Sequence, residues 1–193
     1  MKMSRIVLNC SFIIVMTMAL LSFDLQKAWI TAGSAPKSYD MGIDKGAGQD
    51  GRNAATIKSA DKKINGFGTL MQSCSAENYL GKRIRMSALV KTSYVTEWAG
   101  IWLRIDENGS EKSLGFDNMK NGKTDRSISG TSDWTRYEIV LDVPLNASRL
   151  AYGALLVGTG QICFDDIKFD SVDNTVPTTG AGKESLMPLK EPV

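Results

Sequence analysis

Apolar and polar side chains alternate along most of this chain in short runs broken by turn residues, which is the period of strands that bury one face. Nine runs are predicted as strands: residues 38–44, 54–59, 68–74, 83–92, 98–106, 112–116, 134–143, 149–157 and 161–169. Turn chemistry separates them, with N-G-F-G from Asn65, E-N-G-S from Glu107, K-N-G-K from Lys120 and G-T-G from Gly158. Only S-A-E-N-Y-L from Ser75 reads as a short helical turn, opened by Ser75 and stopped by Gly81. Many short strands at this spacing predict an all-β chain in which two antiparallel sheets cover one another.

The run W-A-G-I-W-L-R-I-D from Trp98 carries the strongest chemical signal. Strand parity puts Trp98, Gly100, Trp102, Arg104 and Asp106 on one face and Ala99, Ile101, Leu103 and Ile105 on the other. The second set reads as core. The first holds two indoles, a guanidinium and a carboxylate, a combination suited to a flat ligand such as a sugar ring, which stacks while its hydroxyls meet fixed polar groups. The strand from Arg83 alternates Arg83, Arg85, Ser87, Leu89 and Lys91 with Ile84, Met86, Ala88, Val90 and Thr92, so Arg85 would neighbour the Trp98 face if the two strands pair. The bland alternatives stay open. Large aromatics in strands are usually core, and Arg104 has Asp106, Asp117 and Asp142 as available partners within the fold. Asp117 and Asn118 of F-D-N-M fit a turn cap as well as a site.

The ends differ from the middle. Lys2 and Arg5 precede an apolar run from Ile6 to Leu21, the layout of an export signal, although the small-residue cleavage rule is poorly met. Residues 1–28 are thus a cleaved signal or a membrane anchor, residues 29–172 the sandwich, and residues 173–193, rich in turn residues, a flexible tail. Export permits Cys74 and Cys163 to pair, and two separate buried thiols fit equally well.

With 193 residues, the chain is long enough for one domain with a real core. Its net charge of +2 comes from 23 basic and 21 acidic residues without a basic cluster, which disfavours nucleic acid as a partner. There is no histidine, so no Ser-His-Asp or Cys-His arrangement can be built and no Cys/His zinc set exists. No enzyme is expected.

F-G-T-L-M-Q from Phe67, Y-L-G-K-R-I-R-M-S-A-L-V-K-T from Tyr79, W-T-R-Y-E-I-V-L-D-V-P from Trp134 and I-C-F-D-D-I-K-F from Ile162 resemble the galactose-binding-like jelly rolls, a superfamily with many carbohydrate-binding modules. A closer resemblance, over roughly residues 29–172, is to a bacterial domain with F-D-N-M, D-R-x-I-x-G-T-x-D-W and L-L-x-G-T-G-Q motifs. The chain departs from it by the insert 120–124 and by Ser127 in place of a proline. The resemblance implies an antiparallel two-sheet β-sandwich of jelly-roll type. It further implies a structural calcium held by a carboxylate of the D-D step, here Asp166, with Asp44 and Asp50 from the loop D-K-G-A-G-Q-D-G; an ordinary solvated loop has the same composition.

Together these features predict an exported, non-catalytic ligand-binding module of the extracellular space or cell envelope, with Trp98, Trp102, Arg104, Arg85 and Asp117 lining its site. Carbohydrate or cell-envelope glycan is the leading ligand class. A structural or protein-interaction sandwich is the rival, and a cytoplasmic sensor domain a third reading in which the N-terminal run is something other than a signal.

Overall fold

The computed structural model describes residues 29–109 and 113–180. The expected signal or anchor, the end of the tail and Lys112 lie outside these residues. Nine antiparallel strands account for most of the described chain: β1 (Ile30–Ala32), β2 (Tyr39–Asp44), β3 (Ala54–Ser59), β4 (Phe67–Ser75), β5 (Arg83–Glu107), β6 (Ser113–Asp117), β7 (Ile128–Asp142), β8 (Ala147–Val157) and β9 (Gln161–Val172). No helix among the described residues is long and apolar enough to cross a membrane.

The 25 residues of β5 organise everything else. Its first half pairs with β7 and β9, its second with β8 and β6, so one strand belongs to two layers. Layer one runs β6-β5-β8-β4-β1 and layer two β7-β5-β9-β3-β2. The runs at 83–92 and 98–106 are therefore one strand, not two. Between them the pairing with β7 shifts register repeatedly, and Tyr94 takes a left-handed φ of 52°. The interruption flips the parity. Ile84, Met86, Ala88 and Val90 face the core before it, and Ala99, Ile101, Leu103 and Ile105 after it, all fully buried.

The core lies between the layers and joins those residues to Ile57, Leu70, Ile139, Leu150, Leu156, Ile162 and Phe164. Edge-to-face pairs Trp29–Phe164 and Tyr152–Phe169 connect the layers at one end. The expected helical turn is present as a single 3-10 turn, Glu77–Tyr79, with the Glu77 amide donating to Ser75 Oγ at 3.2 Å. Cys74 and Cys163 are not joined in a disulfide, which resolves that alternative in favour of separate thiols.

Residues 173–180, the start of the expected tail, are hydrogen-bonded to the sandwich. The Thr179 amide donates to the Val140 carbonyl, and the Val140 amide donates to Thr179 Oγ1, each at 2.9 Å. Arg83 Nη1 donates to the carbonyls of Asn174 and Val176, at 2.6 and 2.8 Å. These bonds run through backbone groups, one threonine hydroxyl and the Arg83 guanidinium, so hydrophobic periodicity could not announce them.

Tyr39 ties the start of β2 to two distant turns, its hydroxyl donating to the Gly158 and Gly66 carbonyls at 3.0 and 3.3 Å. A Cβ on Gly68 would come within 2.6 Å of its ring, so the closest packing here depends on glycine. Burial, reinforced by the Glu97 charge, pushes the phenol up to about 12. A raised folded pKa contributes stability that is complete below the unfolded value near 10 and lost as pH rises toward 12. Denaturant melts from pH 9 to 12 are expected to show this loss, and Tyr39→Phe to flatten it. An unchanged slope in the variant would remove Tyr39 as its source.

Candidate ligand-binding face

Strand register maps the solvent side of layer one row by row. Phe67, Val157 and Trp98 form one cross-strand row, Thr69, Leu155 and Gly100 the next, and Met71, Gly153 and Trp102 the third. Arg104 follows with Ser73, Ala151 and Phe116, and Asp106 with Ser75, Arg149 and Ser113. Trp98, Trp102, Arg104 and Asp106 therefore share one outer face, as parity predicted.

This face is apolar in a way an outward sheet face usually is not. Trp102, Ala151 and Leu155 are buried in a second hydrophobic cluster, with Phe67, Met71, Trp98, Phe116 and Val157 packed around them in half-exposed positions. Trp102 lies at the bottom, 8 % exposed. Its Nε1 donates at 2.8 Å to Thr69 Oγ1, which in turn donates to the Ala154 carbonyl at 2.7 Å. Thr69 is on β4, two strands from Trp102, so the indole reaches across β8, where its row partner is Gly153. A Cβ on Gly153 would also come within 2.2 Å of the Leu70 carbonyl oxygen. Trp102 is thus the floor of the face. Trp98 remains the half-exposed indole, with the Lys120 ammonium 5.5 Å from its ring centroid.

Charged groups close the other end. Asp106 is buried and accepts from both flanking arginines: Arg104 Nε at 2.6 Å on one oxygen, Arg149 Nε and Nη2 at 3.1 and 2.8 Å on the other. Burial of this carboxylate is tolerable because both oxygens meet guanidinium donors.

Two expected residues lie elsewhere. Arg85 sits on the outer face of layer two, beyond the bend in β5, and its guanidinium is 3.3 Å from Glu138. Asp117 pairs in register with Leu103, so it shares the parity of the core, and it is fully buried. One of its oxygens accepts the Met119 amide at 2.7 Å and the other accepts Arg126 Nη2 at 2.5 Å. The two motifs F-D-N-M and D-R thus meet as a turn cap and an ion pair, with the Asn121 amide donating to Asn118 Oδ1 at 2.8 Å beside them. Phe116, one residue earlier, is the member of F-D-N-M on the outer face of layer one.

The acidic residues expected around calcium do not converge. Among the described residues no group of three or more His, Cys, Asp or Glu side chains could hold a metal. Asp44 and Asp50 are exposed, on β2 and in the following loop. Asp166 is engaged by Arg136 Nη2 at 2.6 Å and Lys168 Nζ at 3.0 Å, which hold its carboxyl below the usual range. Two cations already bonded to Asp166 oppose a third, so these residues do not fit calcium.

Phe67, Met71, Leu155, Val157 and Arg149 belong to the face and were missed by sequence reasoning. F-G-T-L-M-Q is apolar at both parities, so the period names the strand without saying which face is core. A separate cavity of about 270 Å³ opens between the layers, lined among others by Trp29, Gln72, Tyr152, Asp165 and Phe169.

No family model matches the chain. An uncharacterized HTH-type transcriptional regulator, YbfP of Bacillus subtilis (strain 168), is 40 % identical over 168 residues, covering 86 % of this chain and 55 % of that protein. The chain spans about half the length of this relative. Among solved structures, the enzymatically active domain of tailspike protein 4 from bacteriophage CBA120 superposes with a TM-score of 0.54 at 10 % identity, over 75 % of this chain and 19 % of that one. A family 16 carbohydrate-binding module gives a TM-score of 0.51 at 11 % identity, over 69 % of this chain and 86 % of that one. Such likeness shows the fold, an antiparallel jelly-roll sandwich, and a shared fold does not assign a function.

Proposed function

We propose that this domain is a non-catalytic binding module that takes a carbohydrate on the outer face of layer one, with cell-envelope glycan as the leading class. The observation that carries the reading is the second hydrophobic cluster on the solvent side of a sheet, with the half-exposed Trp98 at one end and the ordered Arg104–Asp106–Arg149 group at the other. An indole offers the apolar face of a sugar ring a stacking surface, and fixed guanidinium donors suit its oxygens. Likeness to a carbohydrate-binding module supports the reading at the level of fold. Export by residues 1–28 belongs to the same proposal, and recovery of the full chain as a soluble cytoplasmic protein would remove the envelope from it.

The rival is a protein-interaction sandwich using the same apolar face against another domain. The longer relative, named as a transcriptional regulator, favours it. A glycan-array screen of the full chain separates the two. Trp98→Ala is expected to keep the fold while weakening the recovered glycans roughly five- to ten-fold, from a stacking contribution on the order of 1 kcal/mol beyond burial. An array without any bound glycan favours the rival.

A further inference from the structure

The geometry points to a second ligand site in the cavity between the layers, one that takes a small organic ammonium ion with an apolar body. The site is separate from the proposed glycan face. Tyr152 shares its cross-strand row with Leu103 and Gln72, the inward parity, so the cavity lies behind the outer face of layer one. Four aromatic side chains line it, Trp29, Tyr152, Phe164 and Phe169, and they are joined in the two edge-to-face pairs. Its volume of about 270 Å³ exceeds the roughly 150 Å³ that holds a benzene ring, which leaves room for a ring and a short polar arm.

The polar groups of the wall call for a donor. Asp165 Oδ1 accepts the Asp166 amide at 2.7 Å and so secures a residue with a left-handed φ of 53°. Asp165 Oδ2 is buried and accepts no hydrogen bond among the described residues. Arg52 Nη2 stands 3.7 Å from it, on a side chain that is 58 % exposed, too far for a hydrogen bond and screened by solvent. The Tyr152 hydroxyl donates to Gln72 Oε1 at 3.2 Å, so its oxygen is left to accept. A buried carboxylate oxygen without a donor is costly, and an ammonium supplies the donor and the opposite charge together. Aromatic rings around the site favour a cation over a neutral donor. Asp166, the other acid of the wall, is engaged by Arg136 and Lys168. Neither lysine nor arginine lines the cavity among the described residues, which makes Asp165 the anion that an entering cation meets.

The test titrates the full chain at pH 7 with phenethylamine and with 2-phenylethanol, a neutral donor of the same size, and follows the indole N–H resonances. The amine is protonated at that pH, since primary amines titrate near about 10. Phenethylamine is expected to shift the Trp29 signal, to leave Trp98 in place, and to bind about ten-fold more tightly than the alcohol. Asp165→Asn keeps an oxygen for the Asp166 amide and should erase that advantage at an unchanged melting temperature. Arg52→Gln decides the matter even if the fold rejects a change at Asp165: with the competing guanidinium gone, the amine should bind about two- to five-fold more tightly and the alcohol as before. Equal affinity of amine and alcohol, or an amine affinity that Arg52→Gln leaves unchanged, would overturn the assignment of a cation. A shift at Trp98 in place of Trp29, or no saturation below about 10 mM, would overturn the site itself and leave the glycan reading untouched.

Discussion

Asp117→Ala is expected to cost about 3 to 5 kcal/mol of folding stability, the usual result of removing one partner of a buried ion pair. Asp117 is fully buried and serves two groups at once: the Met119 amide and the Arg126 guanidinium. Met119 has a left-handed φ of 69° and is itself fully buried, so the cap holds a costly backbone conformation inside the core. Truncation leaves the Arg126 charge without its carboxylate. Asp117→Asn retains an oxygen for the Met119 amide and should lose about half as much, while Arg126→Ala in the Asp117→Ala background should cost far less than it does alone. The quantities to compare are unfolding free energies from urea melts. A loss below about 1 kcal/mol for Asp117→Ala would show that the F-D-N-M turn stands without this pair.

Trp102→Ala is expected to destabilise by a similar amount, about 3 to 5 kcal/mol for a buried tryptophan, and to lower the melting temperature by roughly 10 °C. The indole fills the second cluster from below and reaches Thr69 across β8. Trp102→Phe keeps most of the volume and loses the N–H donor, so it should cost about 1 kcal/mol and leave ligand binding nearly intact. Trp98→Ala should show the converse pattern, with stability kept and binding weakened. If Trp102→Phe instead abolished binding at unchanged stability, Trp102 would be a contact residue and not the floor.

The strands were legible because a two-layer sandwich imposes a period of two on nearly every element. What the period could not show was how the halves of β5 relate. The polar stretch T-S-Y-V-T-E looks like a connection, whereas it is the bend at which one strand changes layer and reverses its inward parity. Parity alone therefore puts Arg85 near the Trp98 face, whereas it lies on the outside of the opposite layer. Asp117 was misplaced for a related reason: its register against Leu103, invisible in sequence, turns it toward Arg126 and the core. The outer face itself was half visible. Trp98, Trp102 and Arg104 stand out because the other parity of their strand is wholly apolar, but Phe67, Met71, Leu155 and Val157 occur in strands apolar at both parities, where composition cannot separate an inner face from an unusual outer one. The charges on Asp166 could not be foreseen as engaged, since Arg136 reaches it from β7, 30 residues away in sequence.

The central claim, that ligand is taken on the outer face of layer one, is tested most directly by following the indole N–H resonances of the full chain as a recovered oligosaccharide is added. Four tryptophans provide the probes, and the structure separates them: Trp98 and Trp102 on the face, Trp29 at the cavity between the layers, and Trp134 on β7. The account predicts that the Trp98 signal shifts most and saturates with the binding isotherm, that the Trp102 signal moves slightly while its bond to Thr69 holds, and that Trp29 and Trp134 stay in place. A saturating shift at Trp29 with Trp98 unmoved would put the ligand in the cavity between the layers and contradict the account.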